Sequence, residues 1–284
     1  MSGLDIDHLR QWIGREEVAS ELVTDSLVGR FNATFDFPGQ ARDGDAAPVM
    51  IHLCLAPPAA PTRDLGPDGH PMRGGFLPPV PLPRRMWAGS RFRFHAPLRV
   101  GAQATKRSTI LKVEEKQGRS GPLCFVTVGH ELIDGDRLCI AEEHDIVYRE
   151  DPAPGAPAPA PQPAPEGSAF HRVSSPDPVL LFRYSALTFN GHRIHYDQPY
   201  ATSVEGYPGL VVHGPLLATL LMDLLRRQDM GRVTGFAFRA LATITDTADF
   251  AVHGAPQPDG TVRLWARRAD GALAMDATAT LKSQ

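Results

Sequence analysis

The chain has 284 residues, a formal net charge of −3 and a charged fraction of 21%, which suits one large domain or two ordinary ones. Without a basic excess or an apolar run long enough to span a bilayer, the composition argues against nucleic acid or a membrane as partner. The acidic, amphipathic N-terminus does not resemble a secretion signal, and the three cysteines lack metal-ligand spacing. We therefore expect a cytoplasmic protein with reduced thiols and no bound metal.

The N-terminal half is predicted to run from helices to strands. Amphipathic spacing predicts a helix over residues 5–19 and a short helix or turn over 22–35, whereas the apolar run within 44–58 suits either a buried helix or a buried strand. A proline- and glycine-rich ribbon over 57–83 cannot continue regular structure. Alternating segments over 91–149, separated by turn signals, predict three or four long antiparallel strands.

A proline-alanine segment divides the chain. Residues 151–167 hold seven prolines and read as a semi-rigid spacer without a core of its own. The predicted domains are therefore residues 1–150 and 168–284. The second half repeats the order of a helix-bearing loop followed by strands, with four strands expected from residue 233 onward.

The strongest functional signal is a cluster of polar side chains within FNGHRIHYD and the VVHG that follows. His192, His195 and His213 occur within 22 residues, beside Asn190 and Asp197. One histidine near an apolar helix is usually structural, but this density favours a functional site.

The apolar helix after the cluster begins at a glycine and a proline. Gly214 and Pro215 suit a helix N-terminus, and leucines four residues apart cover one broad face from residue 216 to 225. Free backbone N–H groups at that N-terminus are suited to hold a carbonyl oxygen. A titratable loop before such a helix can act on an acyl thioester.

The same segment resembles the hydratase motif of MaoC-like, hotdog-fold enoyl-CoA hydratases. Anchored on His195, the aliphatic position falls on Ile194, the trailing acid on Asp197 and the helix start on His213-Gly214. Two positions depart from the general motif, because Asn190 stands at the catalytic aspartate and His192-Arg193 replace Asn-Pro. The string ALTFNGHRIHYD, with GGFLPPVPLPRRMWAG and EEHDIVYR, is similar to a narrower branch that contains mesaconyl-C4-CoA and itaconyl-CoA hydratases and mitochondrial-type 3-hydroxyacyl thioester dehydratases. Asparagine is expected in that branch.

This resemblance implies an α+β double hotdog, in which two antiparallel sheets each wrap a central helix and the N-terminal half is degenerate. It implies a hydro-lyase that adds water to a short, branched C5 dicarboxylic enoyl-CoA, converting itaconyl-CoA or mesaconyl-C4-CoA to citramalyl-CoA. The alternatives are a 3-hydroxyacyl thioester dehydratase of fatty acid synthesis and a non-catalytic acyl-CoA-binding double hotdog. No cofactor is implied beyond the CoA of the substrate, and a homodimer is compatible with the family.

The catalytic roles follow from the motif positions and the chemistry. His195 is the predicted base for water, Asn190 polarises that water, and Asp197 either carries a second proton or caps a local turn. The backbone N–H of Gly214, with His213 at the helix start, is the predicted holder of the thioester oxygen.

The substrate-binding roles fall to cations and one aromatic. A dicarboxylic substrate needs a counterion, and arginine matches a carboxylate in two-point fashion. The candidates are Arg193 in the histidine loop and Arg84 and Arg85 at the end of the proline ribbon, with Trp87 beside them. The same arginines could instead pair with acidic side chains or bind CoA phosphates.

Overall fold

A computed structural model describes residues 4–118, 121–151 and 160–282. Within these ranges, ten antiparallel strands form one continuous sheet, and five α-helices lie among them. The strands are β1 (Glu16–Leu22), β2 (Arg84–Phe94), β3 (Gln103–Gly118), β4 (Gly121–Asp134), β5 (Arg137–Arg149), β6 (Phe170–Ser174), β7 (Val233–Ala240), β8 (Phe250–Pro256), β9 (Thr261–Arg267) and β10 (Leu273–Leu281). The helices are α1 (Ile6–Arg10), α2 (Asp25–Phe35), α3 (Pro178–Leu187), α4 (Gln198–Ser203) and α5 (Gly214–Arg226).

The two halves of the chain repeat one strand order. The sheet runs β1-β3-β4-β5-β2 and then β7-β10-β9-β8-β6. Read from the outer edge inward, each half places its first, third, fourth, fifth and second strand in sequence. This duplicated arrangement confirms the predicted α+β class and the repeat that was predicted from the order of elements in the two halves.

The halves meet edge to edge at β2 and β7, and not as two separate sheets as we expected. Gly89–Arg93 of β2 pairs with Gly235–Arg239 of β7. Gly89 is needed there, because a Cβ on it would lie 2.4 Å from the carbonyl oxygen of Phe238. The main-chain hydrogen bonds of the seam make the ten strands continuous.

Helix α5 is the predicted apolar helix, and its existence and start are confirmed. Ten of its 13 residues are buried, which matches its leucine-rich face. It packs in a core that also includes α2 from the N-terminal half and α3. This cluster, the larger of two in the described residues, fixes the N-terminus of α5 relative to elements from both halves.

Two expectations for the N-terminal half need correction or refinement. The helix predicted over residues 5–19 is wrong in extent, because α1 ends at Arg10, Gly14 adopts φ +83° and β1 begins at Glu16. The apolar run near His52 forms a four-residue 3-10 helix, Ile51–Cys54. The counterpart of α5 is therefore a single turn, consistent with a degenerate half.

The end of the predicted spacer is attached to the C-terminal half. The backbone N–H of Ala164 donates to the carbonyl of Gly271 at 2.9 Å, and that of Leu273 donates to Gln162 at 2.8 Å. Residues 152–159 lie outside the described residues. None of the helices in the described ranges is both long and apolar enough to cross a membrane.

Candidate active site

Four histidine rings form a row at the N-terminus of α5. The His195 and His213 rings stack with centroids 3.6 Å apart. The His192 ring meets His195 edge-on at 5.4 Å, and on its other side it lies 4.0 Å from the ring of His70. The structure thus brings together the three histidines singled out in the sequence and adds a fourth from the N-terminal half.

His195 is held in one tautomer. Its Nδ1 lies 2.7 Å from the carbonyl oxygen of Val211, which can only accept, so Nδ1 carries the proton and donates. The Nε2 lone pair is then free to accept a proton from water. Burial lowers the pKa of His195 to about 3, against the opposing effect of the Val211 hydrogen bond. The ring is therefore neutral at physiological pH.

His213 precedes the helix as its N-cap residue and is almost fully buried. Its Nε2 lies 2.8 Å from the Ser185 hydroxyl, and burial lowers its pKa well below the usual value. Among the described residues its side chain makes no capping hydrogen bond to α5. The first-turn N–H groups of an α-helix have no acceptor within the helix, so the N–H of Gly214 remains available to a substrate oxygen.

Gly214 faces open space. A Cβ built on Gly214 would meet none of the described atoms within 4 Å. The space beside the Gly214 Cα at the positive end of the α5 dipole is therefore not filled by a side chain from another element. The predicted role of Gly214 fits this geometry.

Asn190 closes a tight turn in the histidine loop. Its backbone N–H donates to the Ser185 carbonyl at 2.9 Å, and its Oδ1 accepts from the backbone N–H of His192 at 3.0 Å. With Oδ1 engaged, the amide NH₂ is the end that can reach a ligand. This arrangement suits the predicted polarising role, because the loop fixes the amide orientation.

Asp197 and Arg193 are bound to each other. Asp197 is the N-cap of α4 and accepts from the Tyr200 N–H at 3.2 Å. The Arg193 guanidinium lies 2.8 Å from the same carboxylate and 4.1 Å from the centroid of the Tyr200 ring. These contacts favour the capping interpretation of Asp197 over proton transfer, and they engage Arg193 away from a substrate carboxylate.

Arg84 and Trp87 are also engaged by the protein. The Arg84 guanidinium lies 2.6 Å from Asp151 and 3.8 Å from Glu205. The Trp87 indole N–H lies 2.9 Å from the Ser90 hydroxyl, and its ring packs 4.2 Å from that of His144. Trp87 therefore packs against His144 of β5 and Phe238 of β7 and does not form a contact at the end of the ribbon.

Asp68 and His70 are site residues that the sequence interpretation missed. They lie in the proline-glycine ribbon, where Asp68 accepts from His70 Nδ1 at 2.9 Å and from its backbone N–H at 3.0 Å. The only sequence signal was a histidine in the turn DGHP. Nothing in the linear pattern linked it to the loop more than a hundred residues later.

The ribbon docks on the histidine loop through two glycines. A Cβ on Gly69 would lie 1.9 Å from the carbonyl oxygen of Gly191. The backbone N–H of Arg193 donates to the backbone carbonyl of Asp68 at 2.9 Å, and Nη1 of the Arg193 side chain donates to the Pro67 carbonyl at 3.0 Å. Close backbone contact between the halves therefore sets His70 against His192.

One group of side chains has the composition of a metal site. The ligand atoms of Asp68, His70 and His192 lie within 4.8 Å of one another. The Asp68–His70 hydrogen bond and the contact between the His70 and His192 rings account for this closeness without an ion. The expectation that catalysis needs no cofactor stays a prediction.

Comparison with known proteins gives one family. The family model for hydroxyacyl-thioester dehydratase type 2 matches residues 50–246. The mesaconyl-C(4)-CoA hydratase of Chloroflexus aurantiacus is 50% identical over 271 residues, which are 95% of this chain and 96% of that protein. The mitochondrial hydroxyacyl-thioester dehydratase type 2 of Schizosaccharomyces pombe is 30% identical over 67% of this chain and 72% of its own length.

Solved structures agree on the fold. A MaoC-like dehydratase from Phytophthora capsici superposes with a TM-score of 0.72 at 15% identity and covers 99% of both chains. A Mycobacterium tuberculosis protein described as having a double hotdog fold superposes with a TM-score of 0.54 at 17% identity, over 94% of this chain and 95% of that one. The double hotdog expected from the motif is thereby confirmed.

Proposed function

Because the chain belongs to the hydroxyacyl-thioester dehydratase type 2 family, whose members are hydro-lyases, we propose that it hydrates mesaconyl-C4-CoA to citramalyl-CoA. The choice of substrate rests on the 50% identity to the Chloroflexus hydratase over nearly the whole of both chains. Itaconyl-CoA, a C5 isomer, is the next candidate substrate.

The observation that carries the chemistry is the tautomer of His195 beside an open helix N-terminus. Because His195 Nδ1–H donates to the Val211 carbonyl, His195 Nε2 can accept a proton from a water molecule while the oxygen of that water attacks the β-carbon. The π electrons move toward the thioester oxygen, where the Gly214 N–H and the α5 dipole stabilise the negative charge. Transfer of a proton to the α-carbon completes the addition, so that the H and the OH of one water molecule have been added across the double bond.

The weak basicity of a buried His195 is offset in the transition state. Its lowered pKa keeps the base unprotonated, but a weaker base gains less from removing a proton. Stabilisation of the negative charge on the thioester oxygen compensates for this weaker proton affinity, because the N-terminus of α5 is already oriented toward that charge before the reaction.

The test is His195→Ala, with His171→Ala on β6 as an exposed control. Loss of the enoyl absorbance is followed with mesaconyl-C4-CoA, itaconyl-CoA and crotonyl-CoA. We expect His195→Ala to lose on the order of 10²–10⁴-fold in kcat, while calorimetric binding of saturated methylsuccinyl-CoA is retained. Turnover within a few-fold of the parent protein would rule out His195 as the base.

A second candidate is a 3-hydroxyacyl thioester dehydratase of fatty acid synthesis. The family description and the Schizosaccharomyces pombe relative favour it. Such an enzyme would prefer unbranched, longer 3-hydroxyacyl thioesters. Faster turnover of 3-hydroxyoctanoyl-CoA than of citramalyl-CoA in the dehydration direction would select it.

We further propose a cytoplasmic homodimer that needs neither a metal nor an added cofactor. Activity is expected to survive dialysis against a chelator, and light scattering is expected to give twice the 30.8 kDa chain mass. Loss of activity on chelation, reversed by one divalent metal, would instead assign a metal to Asp68, His70 and His192.

A further inference from the structure

Three arginines were candidates to bind the free carboxylate of a dicarboxylic substrate, and they differ in whether a protein carboxylate already pairs with them. Arg84 is paired with Asp151 and Glu205. Arg193 is paired with Asp197, with its Nη1 on the Pro67 carbonyl. Among the residues that the structure describes, no carboxylate lies within ion-pair distance of Arg85. A half-buried guanidinium without a counterion favours the binding of an anion.

Arg85 lies on the face of β2 that packs beneath the proline ribbon, because its in-register partner Tyr148 clusters with Val80 and Leu82 of that ribbon. Side chains alternate along a strand, so Arg85 and Trp87 share one face while Arg84 points to the other. Arg85 is paired in register with the buried Tyr148 of β5. Trp87, on the same face, lies with its ring 5.5 Å from that of Phe238 in the C-terminal half.

The charge of Arg85 acts on the site histidines. Burial is the main cause that lowers the pKa of His70 and of His192, and the positive charge of Arg85 adds to both effects. The carboxylate of this cluster, Asp68, is committed to the ring and backbone of His70. Arg85, together with Arg73 of the ribbon, therefore contributes positive charge near these neutral imidazoles.

The position fits a substrate with its carboxylate close to the reacting carbon. In mesaconyl-C4-CoA the free carboxylate is attached to the β-carbon, which water attacks, so its counterion must lie near the base. His192 connects the two ends of this separation, since its ring lies 4.0 Å from that of His70, on which the Arg85 charge acts, and 5.4 Å from that of His195.

We propose that Arg85, presented by the N-terminal half beside His70 and His192, binds the free carboxylate of a dicarboxylic acyl thioester while His195 and Gly214 act on the double bond and the thioester. This inference rests on the proposed hydratase function and adds the residue that selects the substrate. It gives the degenerate N-terminal half a defined role in specificity.

The test compares Arg85→Gln with Arg93→Gln, an exposed arginine on the same strand. We expect Arg85→Gln to lower kcat/KM for mesaconyl-C4-CoA by roughly 10–100-fold, mostly through KM, because a charge-assisted pair is lost. Crotonyl-CoA, which has no free carboxylate, should change by less than about 3-fold. Arg85→Lys keeps the charge but not the two-point geometry, so it should fall between parent and Arg85→Gln. Arg93→Gln should match the parent on both substrates.

A binding measurement separates this inference from the proposed function. Methylsuccinyl-CoA and butyryl-CoA, both saturated, are titrated calorimetrically into parent and Arg85→Gln. Selective loss of methylsuccinyl-CoA affinity supports the carboxylate site whatever the turnover. Equal loss for both thioesters, or no loss, overturns it. If the parent hydrates crotonyl-CoA but not mesaconyl-C4-CoA, the carboxylate site is refuted while the hydratase function stands.

Discussion

Substitution of Gly69 by alanine is expected to uncouple the proline ribbon from the active site. Gly69 has φ +88°, and its missing Cβ would lie 1.9 Å from the Gly191 carbonyl oxygen. An L-residue in a left-handed conformation costs about 1–2 kcal/mol. The clash involves backbone on both sides, so relief requires the ribbon to move away from the histidine loop.

The movement would break contacts whose sizes can be assessed. The Arg193 N–H bond to Asp68 at 2.9 Å and the Arg193 Nη1 bond to Pro67 at 3.0 Å both cross this contact. At about 0.5–1.5 kcal/mol each, their loss and the conformational cost together destabilise the fold by roughly 2–5 kcal/mol. His70 would leave its place against His192, and kcat/KM for mesaconyl-C4-CoA would fall.

Gly39→Ala is the matched control. Gly39 has φ +93°, but a Cβ there would meet none of the described atoms within 4 Å. It should show only the conformational cost and keep full activity. Urea unfolding and kcat/KM are measured for both variants. Equal stability loss in the two variants, with activity retained in Gly69→Ala, would refute the docking of the ribbon on the site.

Three further substitutions address single groups. Asn190→Asp should shift the kcat/KM ratio from mesaconyl-C4-CoA toward crotonyl-CoA by about 10-fold or more, because a second carboxylate repels that of the substrate; an unchanged ratio would place that carboxylate elsewhere. Asp197→Asn keeps an N-cap residue and should leave kcat within about 3-fold, whereas a loss of 10²-fold or more would identify Asp197 as a proton carrier. Burial raises the pKa of Glu142 to about 7, against the hydrogen bond from Ser90. Between pH 4.5 and 7 the unfolded state then binds fewer protons than the native state, so Glu142 lowers stability as pH rises, by up to roughly 3 kcal/mol. Glu142→Gln should therefore be more stable relative to the parent at pH 8 than at pH 4, and equal differences at both pH values in urea unfolding would contradict this.

Some features of the protein follow from local sequence chemistry alone. The leucine repeat and the Gly-Pro start determine α5, since an apolar face at helical spacing must be buried. Alternation and β-rich composition predicted strands over residues 91–149, where the end of β2 and all of β3, β4 and β5 lie, whereas the short edge strands β1 and β6 were missed. His195, His213 and Gly214 were found because they lie within one stretch of chain and match one motif. The likeness of that motif to MaoC-like hydratases also gave the fold before any contact was known.

The tertiary structure decided what depends on residues distant in sequence. Asp197 and Arg193 were catalytic candidates by position, and only their 2.8 Å contact shows that each engages the other. His70 joins the site because a glycine pair lets two backbones touch across more than a hundred residues, which no local pattern encodes. The seam between β2 and β7 likewise depends on strand edges that the chain brings together only when folded. Spacing along the chain fixes which residues share a helix face or a strand face, whereas partners across the fold are set by packing and by backbone hydrogen bonds.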